Sequence, residues 1–135
     1  MKRGREEEEF DAIEFFNDCE LGKLDIVKDV IERGIDVVNV KDCYKRSALQ
    51  FAALNGHVDV AKVLIQNGAD VNAVNEDKET ALHYAAWEGH VDVATLLIQN
   101  GVDVNAVDQW KRTALHNAIC KWDEDSYDAD TYEVA

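Results

Sequence analysis

Proline does not occur anywhere in the 135 residues, so helix propensity is never interrupted by a ring that lacks an amide hydrogen. No apolar run is long enough to cross a bilayer, and no charged, apolar and small-residue leader opens the chain. Neither insertion nor secretion is therefore expected. Cysteine is limited to Cys19, Cys43 and Cys120, without paired or metal-like spacing, which fits a reducing compartment. A cytoplasmic protein is expected, with the nucleus as an alternative. Basic residues number 14 against 28 acidic ones, a net charge of −14 that repels phosphate backbones and anionic membranes. Nucleic acid and membrane are set aside as partners. The short opening Lys2-Arg3-Gly4-Arg5 is too small to reverse this balance and reads as a disordered tail before it reads as a nuclear-import signal. Glycine-rich phosphate loops are missing as well.

What the chain does have is repetition. The segment from Gly56 to Val74 returns 33 residues later as Gly89 to Val107, with 16 of 19 positions identical. A unit of this length cannot bury its own apolar face, so copies must stack to share a core. Ser47, Thr80 and Thr113 each precede an Ala-Leu start and can cap a helix. The runs that follow stop at Gly22, Gly56 and Gly89, and second runs stop at Gly34, Gly68 and Gly101, where a residue without Cβ can turn left-handed. Each unit is thus two short helices. Val60, Ala61, Leu64 and Ile65 recur as Val93, Ala94, Leu97 and Ile98 on one helical stripe, and Ile26, Val27, Val30 and Ile31 hold comparable places in the first unit.

The copies Thr80-Ala81-Leu82-His83-Tyr84-Ala85 and Thr113-Ala114-Leu115-His116-Asn117-Ala118, with Ser47-Ala48-Leu49-Gln50-Phe51-Ala52, Gly56-His57, Gly89-His90 and the run Gly68 to Ala73, resemble the ankyrin repeat, whose cue is T-P-L-H-x-A. The resemblance covers residues 22–118. It implies an all-α solenoid of about four helix-turn-helix units with projecting β-turns. The expected division is a charged tail over 1–9, a capping repeat over 10–41, repeats over 42–74 and 75–107, and a partial or capping repeat with an acidic tail over 108–135. Three departures stand out. Alanine replaces the family's proline at Ala48, Ala81 and Ala114. Lysine replaces its turn glycine at Lys45, Lys78 and Lys111, which demands either positive φ at some cost or a different tip. The stretch from Gly34 to Ala48 is one residue longer than its counterparts, and a bulge is expected at the doubled Val37-Val38.

At the front, Glu6 to Glu9 would favour a helix N-terminus, with a helix over 10–21 that faces Phe10, Ile13, Phe16 and Leu21 inward and leaves Glu14, Asn17, Asp18 and Glu20 wet. At the rear, two outcomes are open: a final acidic helix that covers the core with Trp122, Ala129 and Tyr132, or an open last repeat available for dimerisation or continuation. A monomer is expected, with a dimer through that open repeat as the alternative.

His57, His83, His90 and His116 invite a metal or acid-base role, but one per repeat puts equivalents about 10 Å apart, the spacing of packed helices and too far for a shared zinc. In the resembling family these positions brace turns. No cysteine or serine stands beside a base and an orienting group, so neither catalysis nor a cofactor is expected.

The resemblance places partner binding on the turn tips and the exposed side of the first helices, a concave surface where the two near-identical repeats differ most. Tyr44, Arg46, Leu54, Asp77, Trp87, Trp110, Arg112 and Lys121 are the expected protein-binding residues, since rings and guanidinium groups bury much area with few rotors frozen. The expected function is non-catalytic recognition of another protein. The alternatives are a structural spacer, a fragment of a larger scaffold, or an engineered binder, the last disfavoured by the cysteines, turn lysines and uneven acidic tail. Leu64 before Asp70-Val71-Asn72, and Leu97 before Asp103-Val104-Asn105, also resemble sites of asparagine hydroxylation in this family, which makes Asn72 and Asn105 modification candidates.

Overall fold

The computed structural model describes residues 11–126, the side chains of 122–126 excepted. Seven helices are found among them: α1 (Ala12–Glu20), α2 (Leu24–Glu32), α3 (Ala48–Asn55), α4 (Val58–Gln66), α5 (Ala81–Glu88), α6 (Val91–Gln99) and α7 (Ala114–Ser126). Their starts follow from local chemistry. Thr80 accepts the His83 amide on its hydroxyl at 3.4 Å while its own N–H donates to His83 Nδ1 at 3.1 Å, and Thr113 and His116 repeat the exchange. In the second unit Gln50 takes the histidine's place, its Oε1 accepting the Ser47 N–H at 3.1 Å. Gly56 and Gly89 then end α3 and α5 in the left-handed conformation, at φ 73° and 76°.

The first helices α1, α3, α5 and α7 pack in a row, and the second helices α2, α4 and α6 form a parallel row behind them. Phe15, Leu49 and Leu82 from the front row meet Val27, Val60, Leu64, Val93 and Leu97 from the rear in one continuous core. The architecture is the all-α repeat solenoid anticipated from the period. No strand occurs among the described residues, only an isolated bridge between Lys41 and Ser47.

Between units the chain projects as tight hairpins. In each, the third-turn lysine donates its N–H back to the hairpin's first residue: Lys45 to Asp42, Lys78 to Asn75 and Lys111 to Asp108. All three lysines sit at φ near 64°. Lysine thus accepts the left-handed conformation, because the first residue's side-chain oxygen holds the loop from inside: Asp42 Oδ1 accepts from the N–H groups of Tyr44 and Arg46, at 2.9 and 2.8 Å.

Three expectations are corrected. Helix α1 starts at Ala12 because Asp11 caps it, its Oδ1 accepting from Ile13 and Glu14. The inward stripe is then Phe15, Phe16 and Cys19, with Asp18 also buried, whereas Ile13 and Leu21 are 76% and 55% exposed. Phe10 lies outside the described residues, as do the tail over 1–9, Ala129, Tyr132 and the side chain of Trp122. Ile26 does not share the burial of Val27: its equivalents Val60 and Val93 are buried, whereas Ile26 is 45% exposed. Nor does the doubled valine bulge. Val37 and Val38 are both buried, and the turn closes through Val40 N–H to Val37 O as its equivalents do at Ala73 and Ala106. Burial of both valines holds the register, and the surplus residue is taken up earlier, between Gly34 and Val37.

Candidate functional site: the tip and first-helix face

The hairpin tips are laid on one another by backbone hydrogen bonds. Glu76 N–H reaches Tyr44 O at 3.1 Å, and Gln109 N–H reaches Asp77 O at 2.9 Å. Side chains of the tips and of the first helices therefore share one face. Of the eight residues expected there, five converge: Leu54 from α3, Asp77 from the middle tip, Trp87 from α5, and Trp110 and Arg112 from the last hairpin line one cavity of about 390 Å³. Lys121, from α7, places its ammonium 5.3 Å from the centre of the Trp87 ring. Tyr44 and Arg46 stand apart from this cavity, the guanidinium lying 5.0 Å from the Tyr44 ring centre and 4.8 Å from that of Phe51.

The rigid groups are fixed by the hairpins themselves. Arg112 Nε donates to Asp108 Oδ2 at 3.0 Å, and its guanidinium lies 4.8 Å from the Trp110 ring centre. Burial works to raise the Asp108 carboxyl. The backbone N–H and guanidinium of Arg112, with the N–H of Trp110, outweigh it and hold the group below the ordinary aspartate range. Asn75 takes the corresponding place in the middle hairpin and joins Glu79 to the Tyr84 hydroxyl through its amide. Burial raises the Tyr84 phenol. Trp87 is half-buried, whereas Trp110 is 55% exposed at its tip.

Tyr84 and Asn117 also line the cavity and were not anticipated. Asn117 is only 3% exposed, and its Oδ1 lacks a hydrogen-bond partner among the described residues. Repeat register was the available signal: Phe51, Tyr84 and Asn117 occupy the same place in consecutive units. A second, larger cavity of about 840 Å³ lies beside α1 and the first hairpin, lined among others by Glu14, Phe16, Cys43 and Arg46.

The histidines serve the stack. His83 Nε2 meets Arg112 O at 2.8 Å, His57 Nε2 meets Glu20 O at 2.9 Å and His90 Nε2 meets Leu54 O at 3.1 Å. Each acceptor belongs to an adjacent unit, which fixes the ring proton on Nε2. Among the described residues no group of three or more His, Cys, Asp and Glu side chains could hold a metal ion, and no helix is long and apolar enough to cross a membrane. Cys19 is buried, and its thiol is pushed up to about 12 by burial and by Asp18. Cys43 and Cys120 are exposed. Asn72 Oδ1 accepts the Asp103 N–H at 2.7 Å, as Asn39 accepts that of Asp70, while Asn105 is exposed.

The family model for ankyrin repeats (3 copies) matches residues 15–108 and 75–128. Alpha-latrocrustotoxin-Lt1a from Latrodectus tredecimguttatus is 44% identical over 57 residues, 42% of this chain and 4% of the toxin. Protein fem-1 homolog C from Homo sapiens is 41% identical over 61 residues, 45% of this chain and 10% of that protein. Ankyrin repeat domain-containing protein 49 from Bos taurus is 41% identical over 56 residues, 42% of this chain and 24% of its own length. The chain spans a quarter or less of each of these relatives.

Proposed function

The chain belongs to the ankyrin-repeat family, and from that premise we propose that it is a non-catalytic module holding a partner protein against the tip and first-helix face, with Trp87 and Trp110 as anchors. Ankyrin repeats in general serve as protein–protein interaction modules. The observation that carries the reading is the convergence of both tryptophans, from different units, on one cavity. Ring planes held by stacked hairpins need little ordering on binding, so their burial is returned as affinity. The proposed units are the capping repeat over 10–41, the repeats over 42–74 and 75–107, and the partial repeat from 108, within a protein of the cytoplasm. Truncating Trp87 and Trp110 together to alanine leaves far-UV dichroism intact and lowers capture of the partner from lysate; capture equal to wild type rejects this face. Hydroxylation of Asn72 and Asn105 belongs to the same proposal and is rejected by mass spectrometry of native material that shows no added oxygen on either.

A second reading, a spacer or a section of a larger scaffold, draws on the C-terminal edge. Leu115 is 69% exposed although its equivalents Leu49 and Leu82 are buried, and Ile119, one turn further along α7, is exposed too. That exposure supports a reading in which one more unit, from continuing chain or from a second copy, packs there. Sedimentation equilibrium that shows a monomer at all concentrations excludes the second copy.

A further inference from the structure

We infer that the cavity between Trp87 and Trp110 receives the cationic end of an arginine or lysine from the partner, which is therefore a basic polypeptide segment. The inference rests on the reading of this face as the binding surface. Its first support is the shape of the repeat. The two units before the last put a ring, Phe51 and Tyr84, at the position where the last unit has Asn117 and the first has Asn17, so a shorter polar group stands where its neighbouring units have aromatic volume. Both indoles line the cavity with it. At about 390 Å³ the cavity is large enough to take one long side chain.

The second support is the polarity of the lining. Asn117, Tyr84, Asp77, Glu79 and Glu88 all line the cavity, so an entering donor finds acceptors there that an apolar side chain would leave unused.

Charge selects among the donors. Asp77, Glu79 and Glu88 line the cavity, and Arg112, the only arginine or lysine lining it among the described residues, is tied to Asp108. A carboxylate or phosphate entering here would face three like charges. The indoles already take cations within the chain, Lys121 at Trp87 and Arg112 at Trp110, so cation–π geometry suits both rings. The polarity continues along the face: Asp11, Glu14, Glu20 and Asp42 line the larger cavity, where the two cations among the described residues are engaged, Arg46 with Asp42 and Lys41 with Val74 O. Two acidic cavities on one face match an extended basic segment, and the net charge of −14 steers it there.

The test pans the full chain against a random-peptide phage library and titrates each enriched peptide, resynthesised, against wild type, Asn117→Phe and the Trp87→Ala, Trp110→Ala double variant. Enriched peptides share an arginine or lysine whose replacement by citrulline or norleucine weakens binding about tenfold or more. Asn117→Phe supplies the ring that Phe51 and Tyr84 provide in the two preceding units, so it weakens binding as much while the melting temperature holds or rises. Peptides that need the tryptophans but bind equally well with norleucine or citrulline overturn the cationic anchor and leave the face intact. Peptides, basic or otherwise, that bind the double variant as tightly as wild type report only the chain's general acidity. They overturn both the face and the anchor.

Discussion

The His90 imidazole lies over Gly56 so closely that a Cβ built on the glycine would stand 2.6 Å from its Nδ1, while the ring's Nε2 donates to Leu54 O at 3.1 Å. One histidine therefore fastens the second helix of one unit to the end of the first helix of the unit before it. The same contact ties His57 to Gly22 and Glu20. The glycine has two reasons to be a glycine: its φ of 73°, and a ring in the space a side chain would need.

These two reasons separate experimentally. Gly89 has the same left-handed φ, 76°, but among the described residues no neighbouring element places an atom within 4 Å of a built Cβ. Gly89→Ala is expected to cost about 1 kcal/mol, the conformational part alone. Gly56→Ala adds displacement of the ring and loss of its hydrogen bond, and about 2–3 kcal/mol is expected. Urea denaturation of both variants decides the matter; equal losses would show that the ring contact is incidental.

Leu82 and Leu115 provide a second matched pair. They share a repeat position, yet Leu82 is 5% exposed and Leu115 is 69% exposed. Truncating Leu82 to alanine removes packed methyl groups between α5 and its neighbours and is expected to cost about 2–4 kcal/mol. Leu115→Ala is expected to stay within about 0.5–1 kcal/mol in the same urea titration. A Leu115 loss as large as that of Leu82 would mean that this edge is covered in solution, by a second copy or by chain beyond the described residues.

The period of 33 residues was enough to read the helices, their caps and their glycine stops, because each depends on neighbours within a few positions. Contacts across units were harder. Ile26 carries the same pattern as Val60 and Val93, yet those are buried and Ile26 is 45% exposed, a difference between units that the pattern within one unit does not carry. Ile13 misled for a related reason: the spacing of Phe10, Ile13 and Phe16 is helical, but Asp11 sets the start of α1 and rotates Phe15 and Cys19 inward. The aromatic face was legible as variation between near-identical copies. The cavity within it was not, because it depends on Asn117, a small residue at the place where the two preceding units have the rings of Phe51 and Tyr84.

The last hairpin gives a prediction with a defined direction in pH. Asp108, with its side chain fully buried, has a folded-state pKa below the ordinary aspartate value, so its contribution to stability is present at neutral pH and is lost as pH falls below about 4 through the folded value. Asp108→Asn isolates the charge. Asn75 already fills this position in the middle hairpin, its Oδ1 accepting from Asp77 and Glu79 at 2.8 and 2.9 Å, so the substitution keeps the loop bonds and removes the ion pair with Arg112. The Arg112 side chain is 37% exposed, which screens the pair and limits the expected loss at pH 7 to about 0.5–1 kcal/mol. Urea titrations of both proteins are expected to show that difference steady above about pH 5 and closing as the carboxyl protonates. A difference unchanged down to strong acid would place the stabilising role in the loop geometry and remove the carboxylate charge from it.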